Sequence, residues 1–371
     1  MIYLDYNATA PIKPAVRAAM LEAMERHGNP SSVHRFGRIA RRHMEEARAA
    51  VAAFVGVKPA QVIFTSGGTE ANNLVLRGFR EVPVITSAIE HDSVLVHGAA
   101  TSRLPVTADG MIDVAAADEI LERVPEGALV SVMLVNNETG VIQPVGEIAR
   151  LARKYGHRMH TDAVQAAGRL PIAFNDLNVD FLTLSAHKIG GPQGIGALIV
   201  HEKVAFKPLL MGGGQEMNRR AGTENGAAIT GFGVAVQLAA DDLRDMLRLA
   251  AWRDVLQARL QEIGGTDVFV AGADAPRVSN TLCIALRGIS SETQVMSMDL
   301  SGVAVSAGAA CSSGKVKSSH VLRAMGCPKD VVGSALRLSL GWKTEESDIA
   351  RCIEAWRGIY ERMCANKRKA A

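Results

Sequence analysis

Apolar positions along this chain change their spacing, and the changes outline its elements. Short continuous apolar runs predict strands at 61–65, 84–86, 128–135, 158–161, 181–185 and 195–200. Between them, stretches with helical spacing and many Ala, Arg and Glu residues predict helices at 39–55, 71–77 and 145–155, with another starting after Asp92. Buried strands that alternate with helices describe a mainly parallel sheet covered on both faces, an α/β architecture. The pattern then shifts. Residues 226–263 are dominated by helix formers and predict one long helix or two in tandem. Beyond about residue 245 come strands at 268–270, 278–286 and 303–306 and helices at 292–300 and 348–364, which make a smaller α+β unit. No period of roughly 20–50 residues recurs, so a solenoid or propeller is not expected.

Composition narrows the class. At 371 residues the chain is long enough for two domains. Hydrophobic residues at 48% and charged residues at 21% are ordinary for a globular protein. A formal charge of +3 is too small to make nucleic acid the main ligand. No apolar run reaches the roughly 20 residues of a membrane span. The opening Met1-Ile2-Tyr3-Leu4-Asp5 has no basic stretch followed by an apolar one, so neither a membrane nor a secretory route is expected. Five cysteines, an odd count with no CxxC pair, suggest free thiols in a reducing compartment and no zinc site. A cytoplasmic protein is the expectation.

Candidate chemistry lies where predicted strands end. Ser66-Gly67-Gly68-Thr69-Glu70-Ala71-Asn72 is a glycine turn leading into a helix, and free backbone N–H groups with a threonine hydroxyl suit a phosphate. Lys188, in Ser185-Ala186-His187-Lys188-Ile189-Gly190-Gly191, ends a buried strand. A desolvated lysine there has a lowered pKa and can form a Schiff base with an aldehyde. Asp162, in His160-Thr161-Asp162-Ala163-Val164-Gln165, points into the usual crevice of a parallel sheet, where a carboxylate can keep a pyridine nitrogen protonated. A Schiff-base lysine, a phosphate turn and such a carboxylate together meet the requirement of pyridoxal phosphate. His91 could stack on a ring and move protons. Cys311 lies in a run of small residues, Ala310-Cys311-Ser312-Ser313-Gly314, where an exposed thiolate is a nucleophile. Arg337 alternates with leucines on a predicted strand, a placement suited to a carboxylate. Each has a plainer reading alone: a helix cap for Asp162, a loop lysine for Lys188, a spare thiol for Cys311, an internal ion pair for Arg337.

The segments at 185–188, 161–165, 135–140 and 310–314 occur in order and with consistent spacing. With Tyr3-Leu4-Asp5-Tyr6-Asn7-Ala8-Thr9, Gly28-Asn29-Pro30-Ser31-Ser32 and Arg337-Leu338-Ser339, they span nearly the whole chain. In this combination the chain resembles the pyridoxal-phosphate-dependent cysteine desulfurases of the NifS/IscS type, in the class-V aminotransferase family. The resemblance implies a fold-type-I homodimer. Its large domain, 15–245, would hold a mainly parallel seven-stranded sheet between helices. Its small α+β domain, 1–14 and 246–371, would carry the cysteine loop. By the same resemblance Lys188 would hold pyridoxal 5'-phosphate as a Schiff base, Asp162 its ring nitrogen and Gln165 its ring oxygen, with His91 stacked above. Gly68, Thr69, Ser185 and His187, with Ala186 among them, would surround the phosphate. Thr223 would reach the phosphate of the other subunit, and Asn137 and Arg337 would bind the substrate carboxylate. Cys311 would take sulfur from L-cysteine as a persulfide, leaving L-alanine. A sulfur-acceptor protein such as an iron–sulfur scaffold would then remove it.

No metal is implied except that Cys311 could be a shared iron–sulfur ligand. The polar stretch 312–320 looks like the long loop of the NifS/IscS group. It departs from that group in Lys315 and Lys317, and the segment after the last helix matches no scaffold-docking sequence, so the acceptor and pathway stay open. Two other readings remain: another fold-type-I enzyme, such as an aminotransferase or selenocysteine lyase, and a non-catalytic sulfur carrier. Cys311 weighs against an aminotransferase, which needs no thiol nucleophile, and Lys188, Asp162 and His91 weigh against a carrier.

Overall fold

The computed structural model describes residues 1–95, 100–205, 207–308 and 318–370. Its central sheet runs in the order Val62–Thr65, Gly196–Val200, Phe181–Ser185, Arg158–Asp162, Leu129–Ser131, Val84–Ser87 and Ala100–Leu104. Gly196–Val200 is antiparallel to both neighbours, and every other pairing is parallel. Phe181–Ser185 and Gly196–Val200 are buried at every position, which explains why their sequences are uninterrupted apolar runs rather than alternating ones.

The 128–135 run is regular strand only over Leu129–Ser131. Beyond it, the N–H groups of Val132 and Leu134 still donate to the His160 and Asp162 carbonyls at 3.0 and 2.9 Å, which carries the chain on to Asn137. The edge strand Ala100–Leu104 and helix Val114–Arg123 were not legible from apolar spacing. The edge strand's sequence, Ala-Thr-Ser-Arg-Leu, has only two apolar residues.

Helix Arg35–Val55 ends on Gly56 in the left-handed conformation (φ 72°), where glycine has no steric penalty. It packs on Gly226–Asp242, and a Cβ added to Gly233 would stand 2.8 Å from the Ala47 backbone, so this crossing requires glycine. The 226–263 stretch is two tandem helices, Gly226–Asp242 and Met246–Gly264, joined by one short turn.

A second sheet orders Ser306–Ala307, Ala335–Ser339, Thr281–Leu286 and Val268–Val270, all antiparallel. The N-terminal strand Ile2–Tyr3 pairs in parallel with Val303–Ala304, apart from both larger sheets. Ile2 and Leu4 share a core with Leu256, Leu282, Leu338 and Trp356. The residues after Leu4 then cross to the carboxyl edge of the central sheet, where ligands bind in open α/β sheets.

Candidate active site

Lys188 closes a short helical turn, Ala186–Lys188, directly after strand Phe181–Ser185. The chain turns away at once through Gly190 (φ 76°) and Gly191, where an added Cβ would stand 2.8 Å from the Ala186 carbonyl oxygen. The Lys188 Nζ donates to the carbonyls of Asn7 and Ala8, both at 2.7 Å. Burial pushes its pKa down to about 7; the Arg337 and Arg169 guanidiniums add to this, and Asp5 and Asp162 oppose it. The neighbouring His187 places Nδ1 3.2 Å from the Thr9 hydroxyl, and burial followed by the Lys188 charge holds it down to about 4.

Asp162 ends the strand Arg158–Asp162 and is buried. One carboxylate oxygen accepts from the Val164 N–H at 2.9 Å and the other from Asn72 Nδ2 at 2.7 Å. Asn72 also donates to the Ser93 hydroxyl at 2.9 Å. His91 Nδ1 accepts from the Ser93 N–H at 3.1 Å and lies 2.8 Å from the Ser93 hydroxyl. Asp162 and His91 are therefore held by one polar chain through Asn72 and Ser93, while the His91 residue is exposed at the cavity. Beneath Asp162, His160 is wholly buried between the Ser131 and Thr183 hydroxyls, and desolvation lowers its pKa to about 4. It is a neutral prop for the strand that carries Asp162.

The glycine turn opens helix Gly68–Gly78 at Gly67 (φ 153°), which provides no side-chain cap. Nothing lies within 4 Å of where a Gly67 Cβ would be. Ser66, Gly67, Gly68 and Thr69 line an open cavity, so the uncapped helix start borders free space, as an anion site requires. Glu70 accepts from the Ser66 N–H at 2.7 Å and pairs with Arg220 at 2.9 Å, tying the turn to the glycine-rich segment that holds Thr223. That segment is anchored by Glu216, buried against Arg48 through contacts of 2.7 and 2.9 Å. The anchor holds Glu216, Met217 and Asn218 at left-handed φ values of 46, 56 and 63°, each strained for a residue with a side chain.

Gly68, Thr69, His91, Asn137, Asp162, Gln165, Ser185, His187, Lys188 and Arg337 all line one cavity of about 680 Å³. Ala186 is buried just behind it. Thr223 is exposed and lies outside this lining. Cys311, with Lys315 and Lys317, lies outside the described residues. Its described flanks meet at one point: the Ser319 hydroxyl donates to Glu138 Oε2 at 2.5 Å, and a Cβ on Gly308 would stand 3.1 Å from the same oxygen. Burial raises the pKa of the Cys283, Cys327 and Cys352 thiols, Cys352 to about 12, which disfavours their thiolates. Among the described residues no cluster of three or more His, Cys, Asp or Glu is arranged to hold a metal ion.

Several residues that build the site have no motif of their own. Asn7 and Ala8 receive Lys188, Asn72 holds Asp162, and Asp5 pairs with Arg337 at 2.7 Å. Glu90 and Glu138 are buried carboxylates near the cavity. Desolvation pushes Glu90 up to about 8, and it also raises Glu138. The available signal was polar residues placed among apolar ones, as in Asp5-Tyr6-Asn7 after Ile2-Tyr3-Leu4.

These residues fit pyridoxal phosphate on structural grounds. An amine of lowered pKa, a buried carboxylate held by two donors, an uncapped helix start and an exposed histidine share one cavity with Arg337. The Asn137 amide oxygen and Arg337 Nε are buried there without partners among the described residues, which suits groups that await a ligand. The fold and site define a pyridoxal-phosphate enzyme of fold type I. The "Aminotransferase class-V" family pattern matches residues 2–352. A relative from Dictyoglomus turgidum, named cysteine desulfurase IscS, is 38% identical over 98% of this chain and 95% of its own. The solved NifS-like protein from Rickettsia africae superposes with a TM-score of 0.91 at 35% identity, over 97% of this chain and 99% of its own. A further structure, described as SspA in complex with cysteine, has a TM-score of 0.78 at 30% identity, over 92% and 99%. The chain belongs to the class-V aminotransferase family and, within it, to the cysteine desulfurases of the NifS/IscS type.

Proposed function

We propose that this protein desulfurates L-cysteine to L-alanine and delivers the sulfur to its own Cys311 as a persulfide. The observation that carries the reading is the Lys188 amine, with a pKa near 7, in one cavity with Asp162, His91, Asn137 and Arg337. SspA, similar over most of this chain, binds cysteine.

Bound pyridoxal phosphate supplies an electron sink for charge left at the substrate α-carbon. Lys188, Asp162, Gln165, His91 and the Gly68–Thr69 helix start would hold it, with Ser185 and His187. The rest falls to the chain's own side chains. Arg337 and Asn137 bind the substrate carboxylate and set the α-hydrogen toward Lys188. The neutral Lys188 Nζ takes that proton. His91, with Nδ1 occupied by the Ser93 N–H, presents Nε2 for proton movement on the open face. The Cys311 thiolate then forms a bond to the substrate sulfur. The carbon–sulfur bond breaks with its electron pair left on the β-carbon, which gains a proton, and Lys188 returns its proton to the α-carbon to give alanine.

The test is alanine release from L-cysteine by the cofactor-loaded protein with a thiol reductant. Wild type is expected to release alanine, and Cys311→Ser none beyond background. Equal release by the variant would remove Cys311 as the sulfur acceptor, and no release by the loaded wild type would point to another fold-type-I reaction.

The same reading includes a homodimer. Its support is Thr223, exposed on a strained, anchored segment outside its own subunit's cavity lining, where it is free to reach a partner's phosphate site. Sedimentation of the loaded protein is expected to give a dimer, and a fully active monomer would refute it. We also read residues 1–14 and 246–371 as a small domain that carries Cys311. The Ile2–Tyr3 pairing with Val303–Ala304 and the core shared by Leu4 and Trp356 support that division. The sulfur acceptor fits an iron–sulfur scaffold or similar protein, and free thiols at Cys283, Cys327, Cys352 and Cys364 fit a cytoplasmic enzyme.

A further inference from the structure

A small cavity of about 40 Å³ on another side of Lys188 is lined by Tyr6, Arg169, Asn280 and Trp342. Arg169 is only 8% exposed, and no step above uses it. Its NH1 donates to the Gln165 carbonyl oxygen at 2.7 Å and also to the Gln165 side-chain oxygen Oε1. The two carboxylates that share the cavity are committed elsewhere, Asp242 to Lys13 at 2.5 Å and Asp245 to Arg248 at 3.3 Å. A buried guanidinium is thus spent on two neutral oxygens of one glutamine. Desolvation holds its pKa down to about 9, with Arg337 adding to the effect. An apolar side chain of similar volume would pack there at lower cost, so the charge must be explained by its neighbours.

Those neighbours are the cofactor groups. Because Arg169 occupies Oε1 of Gln165, the amide must turn Nε2 the other way, since a flipped amide would set N–H against N–H. In that orientation Nε2 donates to the Asn7 carbonyl at 2.9 Å, the oxygen that also receives Lys188 at 2.7 Å. The charges facing Lys188 are Arg337 and Arg169, which disfavour its protonation, and Asp5 and Asp162, which favour it, with His187 beside it.

We propose that Arg169 is a positioning residue: it locks the Gln165 amide with Nε2 toward the Asn7 carbonyl at the cavity wall, and its fixed positive charge beside Lys188 disfavours the protonated amine. The inference rests on Lys188 being the cofactor lysine, but its first test needs neither cofactor nor turnover. In the full-length protein without cofactor, the rate at which trinitrobenzenesulfonate labels Lys188 is followed against pH, with Lys188→Ala as the blank. Arg169→Met is expected to raise the midpoint by about one pH unit, and Arg169→Lys to restore it. Should Arg169→Met fail to fold, Arg169→Gln removes the same charge and gives the same reading. The second test follows the visible absorbance of the loaded protein against pH. Here Arg169→Lys stays shifted upward, because a single ammonium does not hold Gln165 as the guanidinium does. An unmoved labelling midpoint in the uncharged variants overturns the electrostatic role. A loaded Arg169→Lys protein identical to wild type overturns the locking role.

Discussion

Lys188→Ala is expected to abolish alanine formation, with a loss on the order of 10⁴-fold or more, as for removal of a group that is both nucleophile and base. The fold should survive. A lysine whose folded pKa lies below its unfolded value opposes folding, and this penalty grows as pH falls from the unfolded lysine value to about 7 and is constant below that. Removing the amine relieves the penalty. The Asn7 carbonyl keeps its donor from Gln165, so the variant should melt at the same temperature as wild type or higher near neutral pH. The wild-type amine gives a companion result. Only the free amine attacks an aldehyde, so cofactor capture by the cofactor-free protein should quicken about tenfold per pH unit below 7 and level off above it. A rate still climbing at about pH 9 would mean an ordinary, solvated lysine and would remove the basis for this site.

Why Lys188 was legible and its surroundings were not is a matter of range. The lysine announces itself locally: a buried strand, a charge at its end, then glycines that bend the chain away. Asp162 and the Gly67 turn are equally local, because strand ends in a parallel sheet fall on one edge. The strands themselves were legible wherever full burial makes their sequence continuous, as at Phe181–Ser185. The edge strand Ala100–Leu104 was not, because three polar residues in a row separate its two apolar ends and it holds no apolar run. The residues that tune the site come from far along the chain. Asn7 and Ala8 reach Lys188 across about 180 positions, and Asp5 reaches Arg337 across 332. They do so because Ile2–Tyr3 pairs with Val303–Ala304 in a two-stranded sheet of their own, a contact no local spacing encodes. Arg169 was hidden for another reason: four residues after Gln165 on a turn of helical pitch, it reads as surface charge until burial is known.

Arg337→Ala is expected to raise KM for L-cysteine on the order of 10²-fold, with a smaller change in kcat, because the lost interaction is a charge-assisted pair to a carboxylate that is not itself transformed. The structure sharpens this expectation. Arg337 is 1% exposed on strand Ala335–Ser339 between two buried leucines, so its guanidinium has one direction available, into the cavity. There NH2 pairs with Asp5 at 2.7 Å and NH1 donates to the Asn137 carbonyl at 3.1 Å. Nε has no partner among the described residues, although the group is too buried for water to serve freely. A substrate carboxylate therefore meets a guanidinium already fixed in orientation, with a donor to spare. Truncation also strands Asp5. Breaking a buried pair costs about 3–5 kcal/mol, but the Asp5 side chain keeps 21% of its exposure, so the lower end of that range applies. Arg337→Lys separates the two effects. It keeps the charge near Asp5 and most of the stability, yet loses the planar fork, and should still raise KM about tenfold. Cofactor affinity, measured by titration of the cofactor-free protein, should change little in either variant. A lysine variant with wild-type KM would mean that Arg337 serves Asp5 and the strand rather than the substrate.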